Sequence, residues 1–190
     1  MSSLHADARR VLVSWQPPDE HQAALRARYL THLDRHEDAL WRSCRPDHLT
    51  ASTLVVSPGG DRVLLTLHSR IGRWLQLGGH CEQQDATLLS SALREAREES
   101  GMHGLYVEPQ PVQLSFHAVP CGPVRPAHHL DVQFVAVAPE EATPVISAES
   151  ADLRWFESSQ LPALADAALR DLVRRGTAQI SRASSPRRRR

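Results

Sequence analysis

The chain has 190 residues, of which 41% are hydrophobic, and its 22 basic residues balance 22 acidic ones. This length supports one well-filled core with a small appendage. The balanced charge gives no electrostatic drive toward nucleic acid as the main partner. No apolar run approaches a membrane span, and the N-terminus does not have the pattern of a signal peptide. The three cysteines form no C-x-x-C pair, so we expect a reduced, cytoplasmic protein.

All 22 basic residues are arginine, because the sequence contains no lysine. This excludes a P-loop lysine, a Schiff-base lysine and a lysine general base. Most classes of ATP-consuming enzyme are therefore ruled out.

The first 47 residues predict two helices. Apolar residues recur at helical spacing over residues 4–15, and Gln16-Pro17-Pro18 then breaks the pattern. Asp19 is suited to cap a second helix. This second helix carries His32 and His36 four residues apart, a spacing that is more typical of a solvated helix than of a zinc site. We expect residues 1–47 to form a helical extension packed on the main domain.

Strands and a final helix follow. The turn Pro58-Gly59-Gly60-Asp61 predicts a hairpin between strands at 51–58 and 62–68. Further strands are predicted at 112–118, 130–138 and 153–156, and in the second of these apolar residues alternate with Asp131 and Gln133, which indicates one buried face. Pro162 predicts the start of a closing helix with Leu164 on its apolar face. The domain thus covers residues 48–178, and the arginine-rich residues 179–190 are expected to be disordered.

The most informative feature is a group of three glutamates, Glu95, Glu98 and Glu99, in the segment from Arg94 to Met102. Positions i, i+3 and i+4 share one face of a helix, with Cβ atoms roughly 5–6 Å apart. Such close like charges cost stability unless a cation lies among them, and oxygen ligands favour Mg²⁺ or Mn²⁺. The alternative is a solvated amphipathic helix, which would not need the Gly78-Gly79 pair upstream.

This segment resembles the signature of the Nudix hydrolases, G-x5-E-x7-R-E-U-x-E-E-x-G-U, where U is a bulky aliphatic residue. The matching positions are Gly79, Arg94, Glu95, Ala96, Glu98, Glu99, Gly101 and Met102. The sequence departs from the pattern at Asp85, which replaces the first glutamate and is followed by eight residues instead of seven, and at Ala96, which is small for its position. We expect the extra residue to fall where the loop becomes helix, which would leave the segment from Arg94 onward unchanged.

The resemblance implies an α/β fold, a Nudix-type α/β/α sandwich with a mixed sheet, over about residues 48–175. It also implies an enzyme that uses Mg²⁺ or Mn²⁺ to cleave a diphosphate linkage in a small-molecule nucleoside diphosphate derivative. By analogy, Glu95, Glu98, Glu99 and the main-chain carbonyl of Gly79 bind the metal, and Arg94 orients Glu95. One of the glutamates, with Glu95 the first candidate, would instead serve as general base, and the sequence leaves open which.

Other residues are candidates for the same site. His80 adjoins the glycine pair and is placed to contact a phosphate, while Trp74 and Phe116 are candidates to stack on a base. Glu149 and Asp152 are candidates for a further acid from a later loop. The identity of the substrate stays open, as does the oligomeric state, although homodimers are common in the family.

Two alternatives remain. An isopentenyl-diphosphate isomerase-like enzyme, which shares the fold, would use His48 and His80 as metal ligands and Cys81 as an acid or base. The intact Arg94–Glu99 segment argues against it, as does a cysteine that follows the Gly-His pair instead of preceding it. A non-catalytic, nucleotide-sensing Nudix module would have little use for all three glutamates.

Overall fold

The structure, a computed structural model, describes residues 3–119, 124–148 and 150–184. Its helices are α1 (Ser3–Ser14), α2 (Glu20–Arg35), α3 (Leu88–Ser100) and α4 (Ala167–Ser184). Its strands are β1 (His48–Val56), β2 (Arg62–His68), β3 (Trp74–Leu75), β4 (Leu77–His80), β5 (Tyr106–Val107), β6 (Gln113–Val119), β7 (Ala127–Val137) and β8 (Ser150–Glu157). No helix in these three ranges is long and apolar enough to cross a membrane.

The strands of the described ranges form one mixed, eight-stranded sheet around a parallel pair. Strands β1 and β7 run parallel in register from His48↔His129 to Val56↔Val137. The other edge of β1 is shared by β2 and β4, both antiparallel, and the other edge of β7 is shared by β5 and β6. Strand β2 also pairs with β3 and β8. The mixed sheet expected from the resemblance is confirmed.

Helices cover both faces of this sheet, which produces two hydrophobic clusters. The larger cluster joins one face of β1 and β7 to α1, α2 and α3, and contains Leu12, Tyr29 and Ala92. The smaller one joins the opposite face to α4 through Leu54, Val135 and Leu172. The chain is therefore an α/β sandwich of the expected kind.

Strand β7 differs from its prediction, because both of its faces are buried. Asp131 and Gln133, which the alternating pattern assigned to a solvent-facing side, are each only 3% exposed. Asp131 accepts hydrogen bonds from Thr50 and Ser52 of the neighbouring β1 at 3.0 and 2.7 Å. These polar residues are buried since they satisfy one another, which a pattern based on hydrophobicity cannot anticipate.

The N-terminal helices are fastened to the sheet by polar contacts as well as by the core. Asp19 caps α2 by accepting from the Gln22 amide at 2.8 Å. The Gln22 side chain bonds both main-chain groups of Leu114 in β6, at 3.0 and 2.7 Å, and so takes the place of a neighbouring strand. The indole of Trp15 donates to the carbonyl of Pro111 at 2.7 Å.

Helix α4 differs from its prediction at both ends. It begins at Ala167 and not at Pro162, because the carboxylate of Asp166 accepts from the Leu169 amide and caps the first turn. Leu164, expected on its apolar face, precedes the helix and is 65% exposed. The helix continues to Ser184, so residues 179–184 of the expected disordered tail are helical, whereas 185–190 lie outside the described residues.

Candidate active site

Helix α3 carries the glutamates, and capping at both ends holds it in place. Thr87 and Ser90 form a reciprocal capping box at its start, and the carboxylate of Asp7 in α1 accepts from the Leu88 amide at 2.9 Å. At its end Gly101 adopts a left-handed φ of 64°, as a helix C-terminal glycine often does. Ala92 and Ala96 are fully buried against the sheet. The small Ala96 thus fits a close helix–sheet approach.

The glycine pair brings the main chain of β4 directly against two of the glutamates. The Gly78 amide donates to Glu99 Oε2 at 2.8 Å. A Cβ atom on Gly79 would lie 2.7 Å from Glu95 Oε2, closer than real Cβ contacts allow. Gly78 has a φ of 155° and would place a Cβ 2.3 Å from the Ser52 Cβ in the adjacent β1. Each glycine therefore has its own steric reason for lacking a side chain.

Arg94 is the hub of the site. Its guanidinium donates twice to the carboxylate of Asp85, at 3.1 and 3.0 Å, and to Glu95 and Glu98 at 3.0 and 2.9 Å. It also donates to the main-chain carbonyl of His80 at 2.8 Å. This fork of donors matches the planar geometry that distinguishes arginine from lysine. The expected Arg94–Glu95 bond is present, and Asp85, in the loop before α3, is the bidentate partner.

Burial and the charge of Arg94 shift the pKa values of the Asp85 and Glu95 carboxyl groups in opposite directions. Burial tends to raise the pKa of Asp85, but hydrogen bonds and charge from Arg94 outweigh it and the pKa is lowered. At Glu95 burial is the stronger influence, so its pKa is raised despite the neighbouring guanidinium. The hydrogen bond with Asp85 in turn raises the pKa of Arg94, which stays charged. Glu95 is therefore the carboxyl of this pair with the greater tendency to hold a proton.

The donor set fits a hard divalent cation. Carboxylates of Glu82, Asp85, Glu95 and Glu98 all lie within 4.0 Å of one cation, Arg94, so negative charge is in excess. The potential metal ligands in this cluster are carboxylate oxygens, the ligand type that Mg²⁺ and Mn²⁺ prefer. Within the described ranges Arg94 binds Glu95 and Glu98, while the Gly78 amide binds Glu99. A metal ion would compete with Arg94 for the first two.

The side chain of His80 points away from the glutamates. Successive strand residues point to opposite faces, and its ring lies 5.0 Å from that of His48 and 4.9 Å from that of His129. Only its carbonyl joins the Arg94 network. Trp74 packs edge-on against Phe156 at 4.8 Å, within the smaller cluster.

The other candidates have structural partners. Phe116 stacks on His128 at 4.4 Å, and the guanidinium of Arg28 lies 3.5 Å from the centre of its ring. Asp152 pairs with Arg154 at 2.6 Å, and Glu149 lies outside the described residues. Cys81 is 6% exposed, and burial raises its pKa to about 12, which keeps the thiol protonated.

Two features escaped the sequence reasoning. His129 lies beside His48 and His80, although 81 residues separate it from His48 along the chain. Asp131 centres a buried polar network that includes Gln133, which donates to it at 2.9 Å. Both depend on the parallel pairing of β1 with β7, which no local pattern in the sequence indicates.

Comparison with known proteins shows which family the chain belongs to. A sequence profile described as NUDIX domain matches residues 46–176. A comparison with curated protein sequences found no significant match. The fold resembles a Caenorhabditis elegans Ap4A hydrolase in a binary complex, with a TM-score of 0.60 and 18% identity over 70% of this chain and 97% of that one.

Two further structures are similar to the same degree. The Escherichia coli dihydroneopterin triphosphate pyrophosphohydrolase has a TM-score of 0.58 and 16% identity over 69% of this chain and 95% of that one. The NUDIX domain of Shewanella oneidensis NrtR, complexed with ADP ribose, has a TM-score of 0.54 and 19% identity over 70% and 90%. With a profile match that spans most of its length, the chain belongs to the NUDIX domain family.

Proposed function

We propose that the protein is a Mg²⁺- or Mn²⁺-dependent hydrolase that cleaves a diphosphate linkage in a nucleoside diphosphate derivative. The observation that carries this proposal is the concentration of carboxylates around Arg94, with Glu95 and Glu99 held against the Gly78-Gly79 main chain. The similar structures support the substrate class, since their descriptions name Ap4A, dihydroneopterin triphosphate and ADP ribose. All three compounds join phosphates to a heterocycle-bearing group.

The chain's own residues have distinct roles in this proposal. Glu95, Glu98, Glu99 and the carbonyl of Gly79 would hold the metal, which when bound lowers the pKa of water and offsets phosphate charge. Arg94 positions Glu95 and neutralises the buried Asp85, so it acts on the reaction through its neighbours. Glu95 is also the candidate for a general base in place of its metal-ligand role, because burial raises its pKa toward neutral pH.

The test is product analysis with Mg²⁺ over nucleoside triphosphates, nucleotide sugars, dinucleoside polyphosphates, NAD and isopentenyl diphosphate. We expect metal-dependent release of a nucleoside monophosphate, and a fall in turnover of at least about 100-fold in Glu98→Gln. The side chain of Glu98 is 58% exposed, so this isosteric change should leave the fold intact. Glu140→Gln, at an exposed position outside the site, is the matched control and should retain full turnover. Near-normal turnover in Glu98→Gln would contradict the proposal.

One observation favours the isomerase-like alternative: His48 and His80 lie side by side, as that function would require of metal ligands. Against it, Cys81 is buried in the larger cluster as a protonated thiol and cannot readily exchange a proton with a substrate. Conversion of isopentenyl diphosphate without hydrolysis, in the same panel, would favour the isomerase.

A further inference from the structure

Four adjacent strands each place a histidine on one face of the sheet, near the start of β1. The four are His80 of β4, His48 of β1, His129 of β7 and His117 of β6. The rings of the first three lie 4.9–5.0 Å apart, centre to centre. One ring nitrogen of each lies within 4.8 Å of the corresponding nitrogens of the other two. The parallel register of His48 with His129 creates this grouping.

Two ring nitrogens of this histidine group have no hydrogen-bond partner within the described ranges. Nε2 of His48 and Nε2 of His129 are buried and have no hydrogen-bond partner there. His48 itself is only 9% exposed. An unsatisfied buried polar atom costs free energy, of the order of 1–3 kcal/mol, and each such atom in a native structure calls for an explanation.

The hydrogen bond of His48 is of a kind that metal-binding histidines make. Its Nδ1 lies 3.3 Å from the carbonyl oxygen of Cys44, to which it donates, so the lone pair is left on Nε2. Metal-binding histidines usually donate their second ring N–H to a carbonyl or a carboxylate in this way, which fixes the tautomer and the ring.

We propose that His48, His80 and His129 bind one Zn²⁺ ion, or a similar first-row transition metal, at a site distinct from the glutamate cluster. Imidazole suits such metals, whereas the oxygens around Gly79 suit Mg²⁺. Nitrogens on a tetrahedral zinc ion lie roughly 3.4 Å apart, given Zn–N bonds of about 2.0–2.1 Å. Side-chain adjustments of the order of 1 Å would close the observed spacing. Three histidines leave a fourth position for water or for a ligand atom.

His80 connects this site with the glutamate cluster. Its side chain belongs to the histidine group, while its carbonyl accepts from Arg94. The two metals would therefore lie on opposite sides of one strand, β4, and would be selected by different donor atoms. The inference does not depend on the proposed hydrolase activity, since it rests on the histidines alone.

A second group, formed by His36, Asp38 and Cys44, also has three potential ligand atoms within 4.8 Å of one another. It is the alternative zinc site within the described part of the chain. His36 is exposed there, and burial raises the pKa of Cys44 to about 12, which disfavours the thiolate that zinc requires. A variant at His36 therefore distinguishes the two groups.

The experiment measures the affinity of the purified full chain for Zn²⁺ after treatment with a chelator and in excess Mg²⁺. A chromophoric chelator competes for the zinc and reports the affinity, and elemental analysis gives the number of zinc ions per chain. We expect one tightly bound Zn²⁺ per chain. His129→Asn and His80→Asn should each weaken binding at least about 100-fold, because loss of a direct ligand exceeds the 10–100-fold cost of losing its supporting partners. His36→Asn and Glu98→Gln should bind zinc as the unaltered chain does. Zinc should also raise the thermal midpoint of the unaltered chain but not that of His129→Asn.

Circular dichroism of each metal-free variant shows whether it is folded, and His80→Asn gives the result if His129→Asn does not fold. Zinc binding that survives in both variants would overturn the proposal, as would its loss in His36→Asn. Loss in Glu98→Gln alone would assign the zinc to the glutamate cluster and overturn it equally.

Discussion

Arg94 combines two requirements that a single point charge could not meet. It satisfies a nearly buried aspartate with two parallel bonds, and it also bonds Glu95, Glu98 and a main-chain carbonyl. Asp85 is 6% exposed, and its charge is offset by Arg94, while the Glu82 amide also donates to it at 2.8 Å. Asp85, where the family signature has glutamate, lies in the loop before α3 and bonds Arg94 through both of its carboxylate oxygens.

Removal of Arg94 should be costly for this reason. Arg94→Ala strands a buried carboxylate, a change that typically costs about 3–5 kcal/mol, and urea unfolding should show a decrease of that size. Arg97→Ala, an exposed arginine of the same helix, is the control and should stay within about 0.5 kcal/mol. Adding Asp85→Asn to Arg94→Ala should recover part of the loss, because it removes the stranded charge. A loss below about 1 kcal/mol in Arg94→Ala would show that the network contributes little.

Among the secondary-structure elements, β4 links the fold to the site through two glycines with different constraints. Gly78 has no room for a Cβ because the backbone of β1 is 2.5 Å from that position. At Gly79 the obstacle is the carboxylate end of Glu95, which is held by Arg94. The first constraint concerns strand pairing, and the second concerns the placement of a glutamate.

These constraints predict different consequences for the same substitution. Gly78→Ala should destabilise the fold strongly, since backbone must move and its φ of 155° is unfavourable for alanine. Gly79→Ala should leave the unfolding midpoint nearly unchanged but displace Glu95, and so reduce hydrolytic turnover at least about 10-fold. Gly59→Ala in the β1–β2 turn is the control for both measurements. Equal loss of stability in the two β4 variants would refute the distinction.

Sequence patterns predicted the elements of this fold well where the signal is local. Asp19 marks the start of α2, and the glycine-containing turn marks the β1–β2 hairpin. Patterns failed where partners are distant: Asp131 and Gln133 have the alternation of an exposed face yet are buried by contacts with β1 and one another. The glutamate site follows from one contiguous segment and its upstream glycines. The histidine group required the β1–β7 pairing.

At the scale of the whole molecule, the contacts of the N-terminal helices show how closely the first 47 residues are joined to the domain. The family profile begins at residue 46, yet α1 and α2 contribute Leu12, Tyr29 and Leu33 to the same cluster as α3 and the sheet. Asp7 bonds the first amide of the glutamate-bearing helix, and Tyr29 donates to the main chain of Asp131 at 3.4 Å. We infer that extension and domain unfold as one cooperative unit.

Substitution of Tyr29 tests whether the extension and the domain unfold together. Tyr29→Ala should lower the free energy of unfolding by about 3–5 kcal/mol, the usual cost of removing a buried aromatic ring, and the urea transition should remain single and coincide by fluorescence and circular dichroism. Tyr106→Ala removes the same atoms at a position that is 61% exposed, so it should cost much less, about 0.5 kcal/mol. If the helices formed a separable appendage, Tyr29→Ala would split the transition in two and leave the later phase at its original midpoint. A single, earlier transition would instead mean that the helix bearing the glutamates depends for its stability on the residues that precede the domain.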